Sequence, residues 1–126
     1  MTGAARKISW TAEQIAGVEG KHFVVTGGNS GLGLECVKQL ASHGARVTLA
    51  ARSLERGRAA AAGLAAVSRP LEIEVRELDL ADLASVRQFA SELADQPVDC
   101  LINNAGVMAI PSSLTKDVFE TQFGVN

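Results

Sequence analysis

No hydrophobic run in this 126-residue sequence approaches the roughly 20 residues that a membrane-spanning helix needs. Arg6 and Lys7 stand near the start, but no apolar stretch of signal-peptide length follows them. With neither feature, a cytoplasmic location is the default expectation. Charge of one sign is also scarce: 12 Lys and Arg against 14 Asp and Glu leave a net charge of -2. That balance argues against a nucleic-acid partner or an anionic membrane surface. The two cysteines, Cys36 and Cys100, lie far apart in apolar segments. They are expected to be reduced core residues rather than a disulfide or metal ligands. His22 flanks a strand and His43 closes a helix, neither beside a partner set for a triad or a metal, so both are assigned structural roles.

What is present is the composition of one compact domain, with 47% hydrophobic and 21% charged residues and no internal linker. Residues 1–20 form a lead-in and 21–126 the domain. In the lead-in, Ser9 or Thr11 can cap a short helix over Ala12 to Ala16, with Gly17 stopping it. Trp10 is expected to pack this segment against the rest. His22 to Val25 is a short apolar run ending at Thr26-Gly27-Gly28, a buried strand. Leu32, Cys36, Val37, Leu40 and Ala41 then recur at helical spacing until Gly44. Arg46 to Ala50 is a second strand. Ser53 caps an alanine-rich helix ending near Ser68, and Pro70 blocks its continuation.

Leu71, Ile73 and Val75 alternate with polar residues in a third strand. Asp79 or Asp82 opens a helix whose apolar face is Leu83, Val86, Phe89, Ala90 and Leu93. Val98 to Ile102 is a fourth strand, and Asp117 to Phe123 resembles the opening of another helix. Strands and helices in strict alternation imply an α/β fold, a Rossmann-type doubly wound parallel sheet with right-handed crossovers. It would stop after the fourth strand and the start of the next helix.

The segment Thr26-Gly27-Gly28-Asn29-Ser30-Gly31-Leu32-Gly33 lies between the first strand and the first helix. A pyrophosphate there would meet free backbone N–H groups and the positive end of the helix dipole. Glycines let the backbone turn sharply and approach the phosphates without an intervening Cβ. A tight turn that binds nothing has a similar pattern, and the strand–helix context favours the phosphate site. Asn29 and Ser30 can bond phosphate or ribose, or serve as ordinary turn residues.

The pattern Thr-Gly-x-x-x-Gly-x-Gly resembles that of the short-chain dehydrogenase/reductase family. Three further features support the resemblance, in the family's order. Asp79-Leu80 resembles the pair that lies beside the adenine ring. Asn103-Asn104-Ala105-Gly106 resembles the family's Asn-Asn-Ala-Gly motif. Gly124-Val125-Asn126 resembles the segment carrying the active-site asparagine. Trp10-Thr11 and the run from Asn103 to Asn126 are most similar to the retinol-dehydrogenase-like and protochlorophyllide-reductase-like branch.

The resemblance implies a nicotinamide dinucleotide bound by Thr26, Gly27, Asn29, Ser30, Gly31, Leu32 and Gly33, with Asp79, Leu80, Asn104, Ala105 and Gly106 beyond them. Asn104 and Asn103 can bind cofactor or tie strands together, the second role being at least as expected for Asn103. Ala105 and Gly106 would matter for their lack of bulk beside a ribose. At the end of the second strand, where NAD enzymes place an acid, Ala51 stands instead and Arg52 follows, about 20 residues after the turn. A guanidinium can bind a 2′-phosphate that an acid would repel, so NADP is expected over NAD. The alternative for Arg52 is a solvated charge at a helix start. Arg56 and Arg58 are expected to be plain surface charges, with a supporting role at the 2′-phosphate as the alternative.

The family's serine and its Tyr-x-x-x-Lys would lie beyond residue 126. The sequence contains no tyrosine, so the phenol that carries the proton in the family has no counterpart, and of the catalytic tetrad only Asn126 is present. The expected function is thus the N-terminal part of an NADP-dependent oxidoreductase acting on a small-molecule alcohol or carbonyl, inactive as this chain alone. A non-catalytic nucleotide-binding module or an oligomeric remnant is the alternative. An S-adenosylmethionine-binding domain is disfavoured, because its acid at the second strand is missing. The fourth strand would be a bare apolar edge, from which self-association into a homo-oligomer is expected.

Overall fold

Alternation of side chains along each strand decides which helix covers which face. The computed structural model describes residues 9–66 and 70–126. The elements are β1 (His22–Thr26), α1 (Gly31–Ser42), β2 (Arg46–Ala51), α2 (Leu54–Ala65), β3 (Ile73–Glu77), α3 (Leu83–Glu92), β4 (Cys100–Ile102) and α4 (Thr121–Val125). The sheet order is β3-β2-β1-β4, and all three pairings are parallel. Adjacent residues of β1 part company: Val25 joins Val37, Leu40, Val47 and Leu49 on the α1 and α2 face, while Val24 joins Leu78, Phe89 and Leu93 on the α3 face. The architecture is therefore the α/β Rossmann-type sheet that the alternation predicts.

The two faces differ in closure. Val25, Val37, Val47 and Leu49 have no exposed surface. On the other face an apolar trough of about 370 Å³ runs between α3 and β4, lined by Val86, Phe89, Leu93, Val98 and Leu101. Leu101 on the edge strand is 55% exposed.

Several local expectations are corrected. The lead-in forms only a 3-10 turn at Ala12–Gln14, with Thr11, not Ser9, at its start and Thr11 N donating to Gln14 Oε1 at 2.8 Å. One such turn offers no apolar face, and Trp10 is 63% exposed rather than packed. Leu32 does not join the apolar stripe of α1 and is 82% exposed, because the helix seats on the sheet only from Gly33 onward. Cys36 and Cys100 are free and half-buried, not full core residues. The end of α2 foreseen near Ser68 lies outside the described residues.

β4 begins at Cys100 rather than Val98, because Asp99 turns its carboxylate back to accept His22 N at 2.7 Å. Of the two candidates to open α3, Asp82 is the N-cap and accepts Ala84 N at 2.9 Å. The helix foreseen from Asp117 starts only at Thr121. Val118 is left-handed, with φ 68°, and Glu120 supplies the cap by accepting Gln122 N and Phe123 N.

Candidate functional site

Winding reverses at β1, which has β2 on one side and β4 on the other. In open parallel sheets the crevice beyond the strand C-termini at such a reversal is where ligands bind. A cleft of about 490 Å³ opens there. Thr26, Gly27 and Asn29 form one wall, Arg52 and Asp79-Leu80 a second, and Ala105-Gly106 a third. Residues separated by up to 80 positions in the chain thus meet around a single space.

The glycine turn owes its shape to close approaches. Gly27 has φ 63°, and a Cβ there would come 3.0 Å from the Ala105 Cα. A Cβ on Gly33 would overlap both Asn104 Nδ2 and the Gly27 carbonyl oxygen. This is a cradle that side chains would fill. At the helix start, Ser30 makes no side-chain capping bond among the described residues, and no acid stands in the first turn of α1. Its leading amides therefore have no local anion, as an N-terminal anion site requires. Ser30, Gly31 and Leu32 are exposed at the start of α1 and do not line the cleft, while Gly33 is buried against the Asn104 side chain.

Thr26 and Asn104 brace the floor. Thr26 is buried, and its Oγ1 accepts Asn104 N at 3.1 Å and Ala105 N at 3.0 Å. The Asn104 side-chain amide donates to the carbonyls of Thr26 and Gly27 at 3.1 and 3.3 Å. Strand-tying, foreseen for Asn103 at least as much as for its neighbour, thus falls to Asn104. Asn103 is exposed and borders the apolar trough. Asp79 is held by its own turn: Oδ1 accepts Ala81 N at 2.9 Å, and its backbone N donates to Ser85 Oγ at 2.9 Å. Arg52 is exposed at the C-terminal end of β2 and makes no ion pair among the described residues.

Asn126, the C-cap of α4, sits beside Gly106 at the edge of the cleft. Its Oδ1 accepts Val107 N at 2.8 Å and its Nδ2 donates to Val107 O at 2.9 Å. Both polar atoms of the side chain therefore grip the backbone just after Gly106. His22 is buried, with Nδ1 donating to Pro97 O at 3.0 Å and Nε2 hydrogen-bonded to Thr48 Oγ1 at 2.8 Å. It braces the far end of the sheet, outside the cleft.

Sequence reasoning passed over Ile110, Ser113 and Thr121, which also line the cleft. It also passed over Lys116, whose Nζ lies 2.8 Å from Asp82 Oδ2. That hydrogen bond holds the Asp82 carboxyl below the usual carboxylate range and raises the Lys116 ammonium above its ordinary value. No short-range pattern links residues so far apart.

Residues 21–126 match the family model described as short chain dehydrogenase. The chain belongs to the short-chain dehydrogenase family. Mouse (Mus musculus) retinol dehydrogenase 11 is 50% identical over 109 residues, and mouse retinol dehydrogenase 12 is 45% identical over 111 residues. These alignments cover 85% and 86% of this chain but 34% and 35% of the relatives, so the chain spans about a third of the curated relatives' length. Among solved structures, an uncharacterized protein from Mycobacterium Paratuberculosis superposes with a TM-score of 0.83 at 47% identity, covering 93% of this chain and 41% of that one. A metagenomic short-chain oxidoreductase in complex with NADP gives a TM-score of 0.64 at 37% identity, covering 71% and 41%. Within the family the likeness is thus to the retinol-dehydrogenase branch. No helix among the described residues is long and apolar enough to cross a membrane.

Proposed function

We propose that the cleft binds NADP(H) and that the chain supplies the cofactor-binding part of an oxidoreductase acting on an alcohol or carbonyl carbon. The observation carrying the NADP assignment is the end of β2. Ala51 is buried there without an acid, and the exposed Arg52 stands on the same cleft as the glycine turn. The cradle of Gly27 and Gly33 and the open start of α1 suit a pyrophosphate. The space beside Ala105 and Gly106 suits a ribose, and Arg52 suits a 2′-phosphate. When bound, the nicotinamide supplies or accepts hydride. The names of the retinol dehydrogenase relatives favour a lipophilic alcohol as the substrate class.

A second reading is favoured by the lack of any tyrosine: the 126-residue chain binds dinucleotide without turning over substrate. Calorimetric titration tests the cofactor assignment that both readings share, and a turnover assay with NADP(H) and an alcohol or carbonyl separates them. NADP(H) is expected to bind this chain more tightly than NAD(H). Replacing the charge-assisted contact in Arg52→Ala should weaken NADP(H) by about 10- to 100-fold and leave NAD(H) almost unchanged. An unaltered preference for NADP(H) in that variant would remove Arg52 from the site.

A further inference from the structure

We propose that Asp117 is a positioning residue for the cleft: it latches residues 107–120, a strap along the cleft wall, to the start of α3, and through that strap it orients Asn126. The proposal rests on the dinucleotide reading above, since the strap matters to function only if the cleft is used.

The first amides of a helix have no partner within it. Asp82, the N-cap of α3, serves Ala84 N and leaves Leu83 N open. Asp117 Oδ2 accepts that amide at 2.7 Å from 34 positions along the chain. Two carboxylates at one helix N-terminus both profit from its dipole, but they repel each other. Lys116 relieves this: its Nζ donates to Asp82 Oδ2 at 2.8 Å while its backbone N donates to Ala81 O at 2.9 Å. An exposed ion pair alone holds little. The charge-assisted bond to a backbone amide is the stronger part of the latch. Ala81 follows Asp79-Leu80 directly, so the strap is fastened to the loop that forms the second wall of the cleft.

From the latch the connection continues to the opposite wall. Thr115 is buried, its N donating to Phe119 O at 2.8 Å and its Oγ1 accepting Phe119 N at 3.1 Å. These bonds close a turn that holds Val118 left-handed. Gly124 of α4 rests on Thr115, where an added Cβ would come 2.6 Å from its Cγ2. Asn126 lies two residues further on and grips Val107 through both side-chain polar atoms. Asp117, Thr115, Gly124, Asn126 and Val107 thus form one contiguous path between the walls. A capping residue of purely local effect would stabilise α3 and nothing beyond it.

Amide hydrogen exchange of the 126-residue chain, resolved by NMR, distinguishes the two. Asp117→Ala should accelerate exchange at Leu83 and also at Val107, each by about tenfold. Asp117→Asn, which keeps an acceptor oxygen, should restore most of the protection at both. Acceleration at Leu83 with Val107 unchanged would overturn the proposal. If Asp117→Ala does not fold, the unsubstituted chain serves: protection at Leu83 and Val107 lost together as urea is raised supports the latch, and Val107 opening independently of Leu83 sinks it. Titration with NADP(H) adds the functional arm, with affinity expected to drop in Asp117→Ala and recover in Asp117→Asn. If the unsubstituted chain binds no NADP(H), the dinucleotide reading fails, and the comparison of the two amides still decides the latch.

Discussion

The two walls of the cleft are built by different means. The β1–α1–β2 side is set in a closed core: Val25, Val37, Val47 and Leu49 have no exposed surface, and the glycine turn is the continuation of a strand packed on both faces. The β4–strap–α4 side rests on an open face. Leu101 is 55% exposed and Phe123 79% exposed, and the segment from Val107 to Asn126 is held by side-chain caps, an ion pair and a gripping asparagine. Burial fixes backbone position through many small contacts that cannot all be lost together. Discrete polar bonds fix it at a few points, each of which one substitution can release. The glycine-turn end of the cleft is therefore the rigid one and the Asn126 end the adjustable one.

Removing the same number of carbons on the two sides should separate them most clearly. Leu49→Ala is expected to lower the unfolding free energy by about 3 kcal/mol in urea titrations, as for a large-to-small change in a closed core. Leu101→Ala should cost under about 1 kcal/mol, since half of its surface already meets water. Equal costs would show that the β4 face is as closed as the other.

The junction of the two sides comes next. Thr26→Val keeps the volume but leaves the amides of Asn104 and Ala105 without their acceptor, at about 1–3 kcal/mol, and should weaken dinucleotide binding in the same preparation. Smaller, and of opposite sign, is Val118→Gly. A β-branched residue at φ 68° is strained, so the glycine is expected to stabilise by about 0.5 kcal/mol after its own entropic cost.

The smallest effect is the pH response of the Asp82–Lys116 pair. Its hydrogen bond lowers the Asp82 pKa, so its contribution is present above the unfolded carboxylate value near 3.9 and fades as pH falls through the folded one. The raised Lys116 pKa places the alkaline limit correspondingly: the contribution is present below about 10.4 and fades as pH rises through the folded value. The melting-temperature difference between the unsubstituted chain and Lys116→Met should accordingly be flat across neutral pH and shrink at both extremes. A difference that grew in acid would contradict this pairing.

The rigid side was legible in the residues and the adjustable side was not, for a physical reason. Strand and helix periodicity marks burial, so the sequence shows the strands from His22 and Arg46 and the helix between them, around a glycine turn, as the structure has them within a residue or two. Polar latches leave no period. Nothing near Asp117 in the chain indicates that its partner is Leu83 N, and its acidic side chain reads equally well as a helix opening. Trp10 and Leu32 misled for the complementary reason, since apolar character signals burial only where a neighbouring element is present to cover it.

The order of residues by itself determined the alternation of strands and helices, the glycine turn after the first strand, the Asn-Asn-Ala-Gly segment and the absence of an acid at the end of β2. These are local properties, set by backbone conformation and side-chain volume within a few positions. Only the tertiary structure decided that Asn104 rather than Asn103 braces the strands, that Asn126 closes on Val107, and that Asp117 joins the strap to α3. Those contacts depend on where the sheet brings together residues far apart in the chain, and that placement follows from packing the whole domain.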